Sequence, residues 1–518
     1  MMRDRRADAR LALRKPGTVI MSYPRRLTAA VILAGALSGP VHAADVTPAE
    51  ATDLQEQLRA WMASLVKPAL DVGPAPVQVA AAGDHFDVTI PAPDALSAMG
   101  FTAPGLKVTL AARPLDGGRY ALDHLVLPQP LLLTMPAAFD TPEKSAKKAP
   151  DGTAATPPIP KTVSLGYAAM TFQGLLDPSY ATTSSFDTSY SGLHIVSPNS
   201  DSTTAKSVSH STWQPSGDGH LTILSDGSSE NTTASITTKD GTVTTYSIGA
   251  SHSTSQIKAV SPDSLGALVR SIAALVPTVA GTKDSLSPEQ RALARTAVLA
   301  LRDMFAGAEM QQSFQTLKFE TMGIGGSIAK AGIATKIGTE KGKLLLATEL
   351  SVEGVDSPAI PAGVYRDYLP RRIMFKPRVS GIPGDDLVKL LLQAIDSSQA
   401  DMPALEEQAM ALLGAGPLEV AIDDMAVDLG RASLSGNGTL TVASPTDISG
   451  DAQITLVGLD ALIKTANTTP PLKQAAPVLI FLKGIGKQDG NETVWDIKYE
   501  DKKVTVNDTD LSDLIPTK

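Results

Sequence analysis

Residues 221–246, LTILSDGSSENTTASITTKDGTVTTY, decide the fold. Alternations such as Leu221-Thr222-Ile223 and Val243-Thr244-Thr245-Tyr246 place β-branched residues at the two-residue period of a strand. Ser225-Asp226-Gly227 and Lys239-Asp240-Gly241 supply turn chemistry. The surrounding segment, 180–256, is dominated by Ser and Thr. Disorder shares that composition, but it does not produce regular β-branched spacing. The segment is therefore expected to form an antiparallel meander with one weakly apolar face.

Similar signals continue outward in both directions. Upstream, Thr47-Pro48-Ala49-Glu50 reads as a capping box with Pro at the first helical position, followed by Leu54, Leu58, Trp61, Met62 and Leu65 at helical spacing. Strands are expected at Phe86–Ile90 and Leu106–Leu110, and Asp116-Gly117-Gly118 should turn a hairpin into Tyr120–Leu127. Downstream, one amphipathic helix starts near Ser261-Pro262 and carries Leu265, Leu268, Val269, Ile272 and Val276. A second is capped by Ser287-Pro288-Glu289-Gln290 and runs to about Phe305. Strands return from Phe314, at Leu344–Val352, Leu418–Ile422, Met425–Leu429, Leu434–Val442 and Ile454–Val457. Helices Asp386–Ile395, Pro403–Leu413 and Leu472–Leu482 interrupt them, and Trp495–Tyr499 with Val504-Thr505-Val506 forms a last hairpin.

A degenerate unit recurs, in which strands lead into Asp-x-Leu or Asp-Leu. Examples are Pro93-Asp94-Ala95-Leu96, Pro262-Asp263-Ser264-Leu265, Asp385-Asp386-Leu387, Leu459-Asp460-Ala461-Leu462 and Leu511-Ser512-Asp513-Leu514. Asp in such places is expected to cap a helix while Leu packs back onto a sheet. The resulting class is α+β and β-rich: long twisted antiparallel sheets with amphipathic helices on one face. The expected divisions are a leader at 1–43, a helix with β-hairpins at 44–139, a Pro/Ala/Lys-rich linker or insertion at 140–161, a Ser/Thr-rich meander with two helices at 162–310, and a β-rich repeat domain at 311–518.

The leader reads as a signal peptide over Met21–Ala43. Arg25 and Arg26 precede the uncharged run Leu27–Leu37, Ser38-Gly39-Pro40 breaks it, and Val41-His42-Ala43 offers small residues for cleavage after Ala43. Met21 reads as a start, with residues 1–20 an over-extension of the reading frame, and Met1 is the alternative. The apolar run is too short to span a bilayer, and no later segment is expected to do so. The 518 residues contain no Cys, which excludes a lipidated Cys and points to a soluble or peripheral protein of a bacterial periplasm. Formal charge is −9, but residues 1–43 carry eight Lys/Arg and two acids; the remainder holds 37 basic and 52 acidic residues, a balance of −15. That balance disfavours nucleic acid and anionic lipid surfaces as general partners. Aromatic content of 4% argues against an outer-membrane barrel with aromatic girdles.

The C-terminal third has a recognisable cadence in Ser433-Leu434-Ser435-Gly436-Asn437-Gly438-Thr439-Leu440, in Gly450–Leu456 running into Leu459–Ile463, and in Trp495–Tyr499 through Val504–Asn507. It resembles uncharacterised Gram-negative envelope proteins, a domain-of-unknown-function group related to AsmA-like and YdgA-like chains, best over 340–518. AsmA-like proteins usually keep an N-terminal membrane anchor, whereas the leader here reads as cleavable. The resemblance implies envelope maintenance or lipid handling and supplies no catalytic residues.

Motifs of catalysis are sparse. The six histidines beyond the leader form neither His-x-x-x-His nor His-Glu-x-x-His, although His194, His210, His220 and His252 share the Ser/Thr-rich segment with Asp218. There is no Gly-x-Ser-x-Gly elbow. Ser145-Ala146-Lys147-Lys148 lies in the linker, and no Lys-Ser/Thr follows Gly323-Ile324-Gly325-Gly326, whose glycines suggest close backbone approach. Asp508-Thr509-Asp510 with Asp513 lacks calcium-loop spacing and reads as a cap. No catalytic, cofactor or metal residues are assigned. One basic and aromatic cluster stands out in an acidic chain: Tyr365, Arg366, Tyr368, Arg371 and Arg372, with Lys376 and Arg378 behind it. It is expected to meet lipid headgroups or an envelope partner. The leading expectation is a non-catalytic exported protein that binds lipid or another apolar ligand, or an envelope protein. Its rivals are a hydrolase with a dispersed site and a Ser/Thr-rich surface adhesin; oligomeric state is left open.

Overall fold

The Ser/Thr-rich alternation builds some of the longest strands in the molecule. β8 (Ser184–Ser197), β9 (Ser200–Gly217), β10 (His220–Thr237) and β11 (Val243–Val260) are 14 to 18 residues long, which at ~3.3 Å per residue is about 45–60 Å. The computed structural model describes residues 45–66, 77–91, 102–103, 105–135, 161–238, 241–279, 286–340, 342–360, 362–397, 402–414, 417–444 and 447–512. The leader, residues 140–160 with Ser145–Lys148, and Pro93–Leu96 lie outside them, as do Lys239, Asp240 and Asp513.

Before the long strands come β1 (Gln78–Ala82), β2 (His85–Pro91), β3 (Lys107–Leu115), β4 (Arg119–Val126), β5 (Leu131–Met135), β6 (Lys161–Gly166) and β7 (Ala169–Leu176). After them come β12 (Gly307–Thr321), β13 (Ile324–Glu340), β14 (Lys343–Asp356), β15 (Arg372–Pro383), β16 (Leu418–Asp428), β17 (Ser433–Ser444) and β18 (Asp447–Val457). β19 (Lys487–Asp489), β20 (Glu492–Glu500), β21 (Lys503–Val506) and β22 (Thr509–Asp510) close the series. All 22 belong to one antiparallel sheet. Pairing follows chain order through β1–β4, resumes from β4 to β7, proceeds stepwise to β18, then passes to β20, β21 and β22. β5 and β6 attach to β8 beside β7, and β19 attaches to β20.

The helices are α1 (Pro48–Val66), α2 (Pro262–Val279), α3 (Pro288–Met304), α4 (Val364–Asp367), α5 (Gly384–Asp396), α6 (Met402–Gly414), α7 (Leu459–Thr468) and α8 (Ala476–Ile485). Both expected capping boxes form. Thr47 N donates to Glu50 Oε2 at 2.7 Å, and Gln290 N donates to Ser287 Oγ at 3.1 Å. α1 packs on α2, α2 on α3, α3 on α5, and α5 on α6, which meets β17.

Several local expectations need correction. Ser225-Asp226-Gly227 makes no turn: it lies inside β10, with Asp226 opposite both His210 and Thr254. The turn before β10 is Asp218-Gly219, where both residues are left-handed (φ 50 and 74). Partners on both sides hold Ser225–Gly227 extended, and a Cβ at Gly227 would come within 3.1 Å of Ser253 Oγ, a tight fit. Strand pairing also resumes at Gly307 rather than Phe314. Leu418–Ile422 and Met425–Leu429 are one strand, β16, with a bulge at Asp423-Asp424 that shifts its register against both neighbours. The bulge sits across from Pro377, which has no N–H to give to the ladder. Leu472–Leu482 is a 3₁₀ turn, Pro470–Leu472, followed by α8.

The Asp-Leu units mark the starts of α2, α5 and α7, but not through carboxylate caps. Ser261 Oγ accepts from Ser264 N ahead of α2, and α5 and α7 have no side-chain cap. Asp460 instead pairs with Lys483 at 2.5 Å. Asp510 accepts from Ser512 N at 2.9 Å, while Asn507-Asp508 turns the β21–β22 hairpin.

A crease crosses the long strands. Gly192, Asn231, Thr316 and Gly354, on β8, β10, β12 and β14, have φ of 59, 51, 56 and 66°. The intervening strands place Ala205, Gly249 and Ala329 at the same level, and pairing resumes beyond the line with unchanged register. Left-handed backbone on every second strand, opposed by small residues, turns seven strands along one line. Gly354 has little spare room, since a Cβ would lie 2.7 Å from the Ala329 Cβ. Thr316 is β-branched and so is strained at this φ.

Two cores form, at opposite ends of the strand order. In the first, Ala51, Leu54 and Leu58 of α1 meet Val77, Phe86, Val88, Ala112, Leu122 and Phe186. In the second, Leu459, Leu462, Leu479 and Leu482 of α7 and α8 meet Leu456, Trp495, Ile497 and Val506. Directly opposed residues share a face of the sheet. Phe86, Ala112, Leu122, Gly174, Phe186, Ser211, Ser225, Ser255, Met310, Thr335 and Thr348 form one such chain of opposed residues. Leu350, two residues beyond Thr348, opens a second chain through Phe375, Met425, Gly436 and Ile454 to Trp495. Both cores therefore lie on the same face.

Between β7 and β8, Asp177 is almost wholly buried. It accepts from Ser179 N (2.9 Å) and Oγ (2.6 Å) and from Thr182 N and Oγ1 (both 2.7 Å). Burial pushes the carboxyl up, but these four bonds outweigh it and hold it below the ordinary Asp value. Asp177→Asn should cost about 1–2 kcal/mol at neutral pH. A folded-state value below the unfolded one stabilises the fold above the unfolded value and loses that stabilisation as pH falls through the folded value. In denaturation series, the gap between parent and variant should thus close below pH ~4; a pH-independent gap would contradict this. At the crease, Gly354→Ala should lower the unfolding free energy by about 1–2 kcal/mol and Thr316→Gly should raise it, as read from denaturation curves. Shifts of the same sign would show that the line holds no strain.

Candidate functional site

The shared face changes character along the strand order. On β9–β11 it carries small hydroxyl side chains, among them Ser211, Ser225, Ser229, Ser251 and Ser255. Some bond across strands, with Ser229 Oγ 2.7 Å from Ser251 Oγ. From β12 onward aliphatic side chains predominate, with Thr335 and Thr348 among them. Ile337, Leu346, Val379, Val420 and Leu440 stand directly opposite one another across β13–β17. A second row runs Ile333, Leu350, Phe375, Met425 and a third Val352, Ile373, Val427, Leu434.

Burial on this face is incomplete. Met310, Ile337, Leu346, Leu350, Val420 and Leu440 are 39–54% exposed, although each shares the face with the two closed cores. Where the strip approaches the C-terminal core it deepens into a groove of about 280 Å³, with Gly438, Gly450 and Ala452 beside Val420, Leu440 and Ile497. The small residues are fixed by close strand contact: a Cβ on Gly438 would lie 2.6 Å from the Ala452 Cβ.

The opposite face is a charge ladder. Glu309 lies 3.1 Å from Lys258 and 3.7 Å from Lys336, Lys376 pairs with Glu349 at 3.4 Å, and Arg378 reaches Glu419 at 2.6 Å and Asp423 at 3.1 Å. The hydrogen bond from Lys258 holds the Glu309 carboxyl below its usual range. Partial burial pulls the Arg378 guanidinium down, but its two carboxylates raise it. His210, Asp226, Glu309, Lys336, Glu349 and Lys376 border an open depression of about 740 Å³ on this side.

Two histidines join this ladder separately: His210 Nδ1 is 2.7 Å from Asp187 and His252 Nε2 is 3.4 Å from Asp226. His194, beyond the crease, instead has Nε2 2.8 Å from Asp201. Among the described residues, no group of three His, Asp or Glu side chains is placed to hold a metal ion. Gly325 and Gly326 follow the Met322-Gly323 turn, and a Cβ on Gly326 would strike the Phe319 ring, so this segment is a tight hairpin.

The basic and aromatic cluster lies between β14 and β15, at the strand ends where α7 and α8 also insert. The structure separates its members by role. Arg366 is neutralised by Asp356 at 2.6 Å, and Tyr368 Oη is 2.9 Å from Thr465 Oγ1 on α7. Tyr365 belongs to α4, and its side chain lies outside the described set. Arg371 and Arg372 are exposed, and no carboxylate among the described residues pairs with either; Arg372 reaches the Met374 sulfur at 3.7 Å. Arg371 lies against Gly430, where a Cβ would come within 2.7 Å of Nε. The exposed aliphatic row was not legible as a site in the sequence. Its members lie on five strands, and only register brings them together.

With this geometry in place, the comparisons can be stated. Residues 346–505 match the model of a family described as an uncharacterized protein conserved in bacteria, DUF2125. The match covers β14 to β21, which carry most of the apolar rows. It bears out the likeness to an uncharacterised bacterial family; an AsmA-like relationship is not shown by it. No curated protein and no solved structure matches the chain. Among the described residues, no helix is long and apolar enough to cross a membrane.

Tyr368 ties the basic loop to the C-terminal core through one hydroxyl. Tyr368→Phe should cost about 1 kcal/mol and increase amide exchange across 362–371 while leaving β18 and β20 protected. Unchanged exchange in the loop would remove this bond as its anchor.

Proposed function

We propose that the chain is a non-catalytic, exported protein of the bacterial envelope that acts in the periplasm by holding the apolar chains of lipids against the open part of its sheet. One observation carries this reading: a row of aliphatic side chains across five adjacent strands, four of them (Ile337, Leu346, Val420 and Leu440) 39–45% exposed, on the face that both cores close elsewhere. A contiguous apolar surface between covered cores marks an interaction site. Its exposed members are aliphatic or Met, with none of the Trp, Tyr or Arg anchors that concentrate energy in protein interfaces. Hydrocarbon needs no such anchors; it needs continuous apolar contact and depth, and the groove beside Gly438 and Gly450 supplies depth. In this reading α1, at one end, and α7–α8, at the other, act as covers on the shared face. A dispersed hydrolase site is less well supported, because the histidines pair with exposed Asp on a sheet surface rather than inside a cleft.

Native mass spectrometry of the mature protein, purified without detergent, should show bound lipid or uptake of added phospholipid. Leu350→Asp and Val420→Asp should reduce occupancy at least tenfold, because a charge buried under hydrocarbon costs several kcal/mol. Both positions are part-exposed, so the variants should retain the parent's circular dichroism. An unliganded protein that takes up no phospholipid would overturn the reading.

A further inference from the structure

We infer that the open face holds its lipid in one direction, with an anionic headgroup at Arg371 and the hydrocarbon running along β14 and β15 toward Leu346 and Val379. This rests on the lipid-holding reading above and names the ligand class it would take.

Charge placement carries the inference. The protein is acidic, and most cations near the strip are already matched: Arg366 by Asp356, Arg431 by Asp367, Lys376 by Glu349 and Arg378 by Glu419 and Asp423. Arg371 is an exception: it is exposed, has no carboxylate partner among the described residues, and lies two residues before Ile373 of the apolar rows. Arg372 belongs to the reverse face, directly opposite Glu353 and Asp428 and 3.7 Å from the Met374 sulfur. At the far end of the same strands acids are already matched, Glu419 by Arg378 and Asp386 by Lys389. β15 is 12 residues long, about 40 Å at ~3.3 Å per residue. That is several times the ~8 Å screening length at physiological salt, so each end presents its own local potential.

Length agrees with charge. Leu350 faces Phe375 and Leu346 faces Val379, four and eight residues beyond Arg371, or about 13 and 26 Å along the strand. A lipid chain spans one leaflet of a ~30 Å hydrocarbon core, about 15 Å. A headgroup at Arg371 would therefore lay its chain over Leu350 and toward Leu346. A guanidinium suits an anionic phosphate because it donates in a fork and stays charged. Tyr368, bonded to Thr465, holds the loop that carries Arg371.

The test compares single-chain lysophosphatidylglycerol, which is anionic, with lysophosphatidylcholine, which is net neutral, and with glycerol phosphate, which has no chain. Binding to the full chain is measured by titration calorimetry below the micelle concentration. The parent should favour the anionic lipid and ignore glycerol phosphate. The exposed variant Arg371→Gln should lose about tenfold for the anionic lipid, the scale of a charge-assisted contact, with no change for the neutral one, and Arg372→Gln, on the reverse face, should change neither. Leu350→Asp should weaken both lipids. If both lipids bind equally and the Arg371 variant changes neither, the polarity is wrong while lipid holding stands. If neither binds, both readings fall. If glycerol phosphate binds as tightly as the anionic lipid, Arg371 forms a phosphate site unrelated to the apolar face.

Discussion

Side-chain parity through the antiparallel ladder is the constraint on which the rest of this structure depends. A strand alternates faces every residue, so a one-residue slip anywhere would exchange its apolar and charged sides. The chain of opposed residues from Phe86 to Thr348 shows parity kept across eleven strands. Both cores, the serine-lined stretch and the exposed aliphatic row follow from it. So does the charge ladder, because Asp187, His210 and Glu309 are the immediate neighbours of Phe186, Ser211 and Met310. Each charged residue stands on the reverse of an apolar or hydroxyl position.

Irregularities serve the same constraint. The bulge at Asp423-Asp424 inserts an extra step, so Ile422 and Met425, three apart, both oppose residues of the apolar rows, Gly438 and Gly436. Without it, either the start or the end of β16 would present the wrong face. The displaced carboxylate is held by Arg378, which ties the bulge to β15 on the charged side. The crease behaves differently, since register on both sides of it is unchanged. It bends the long strands together and shifts none of them. Left-handed residues on alternate strands allow this because the small residues between them, Ala205, Gly249 and Ala329, leave room for the bend.

What could be read from the sequence divides along locality. Capping boxes at Thr47 and Ser287 are contacts three residues apart, and both form as written. The Asp116-Gly117-Gly118 hairpin and the terminal Trp495–Tyr499 hairpin are equally local. Ser225-Asp226-Gly227 and Asp218-Gly219 use the same chemistry, yet only the second turns. The difference lies in partners on β9 and β11, which no local pattern contains. The Asp-Leu units located helix starts correctly and misassigned their caps, because Ser261 or backbone geometry does the work expected of Asp. Among the cluster residues, the sequence could not distinguish Arg366 from Arg371; that distinction comes from Asp356, ten residues before Arg366 and on a different element. The aliphatic row is the extreme case, since five strands between residues 337 and 440 contribute one residue each.

An exposed apolar sheet face ordinarily invites aggregation, and the way this sheet ends bears on what that face is for. Polymerisation through strand addition needs long, flat, unpaired edges. The described edges are poor templates: β1 has five residues and β22 only two, the latter following Asn507-Asp508 and ending in Asp510. The reverse face is covered with paired charges that cost energy to desolvate, so stacking through it is disfavoured as well. Strand addition and stacking are thus opposed at the edges and on the charged side, while the aliphatic row stays open. An open aliphatic row that ends at an exposed arginine, Arg371, without a carboxylate partner among the described residues is better matched to a small amphiphile than to another sheet. A second sheet would have to leave that arginine unpaired or bring its own carboxylate, whereas an anionic lipid carries its countercharge on the same molecule as its hydrocarbon.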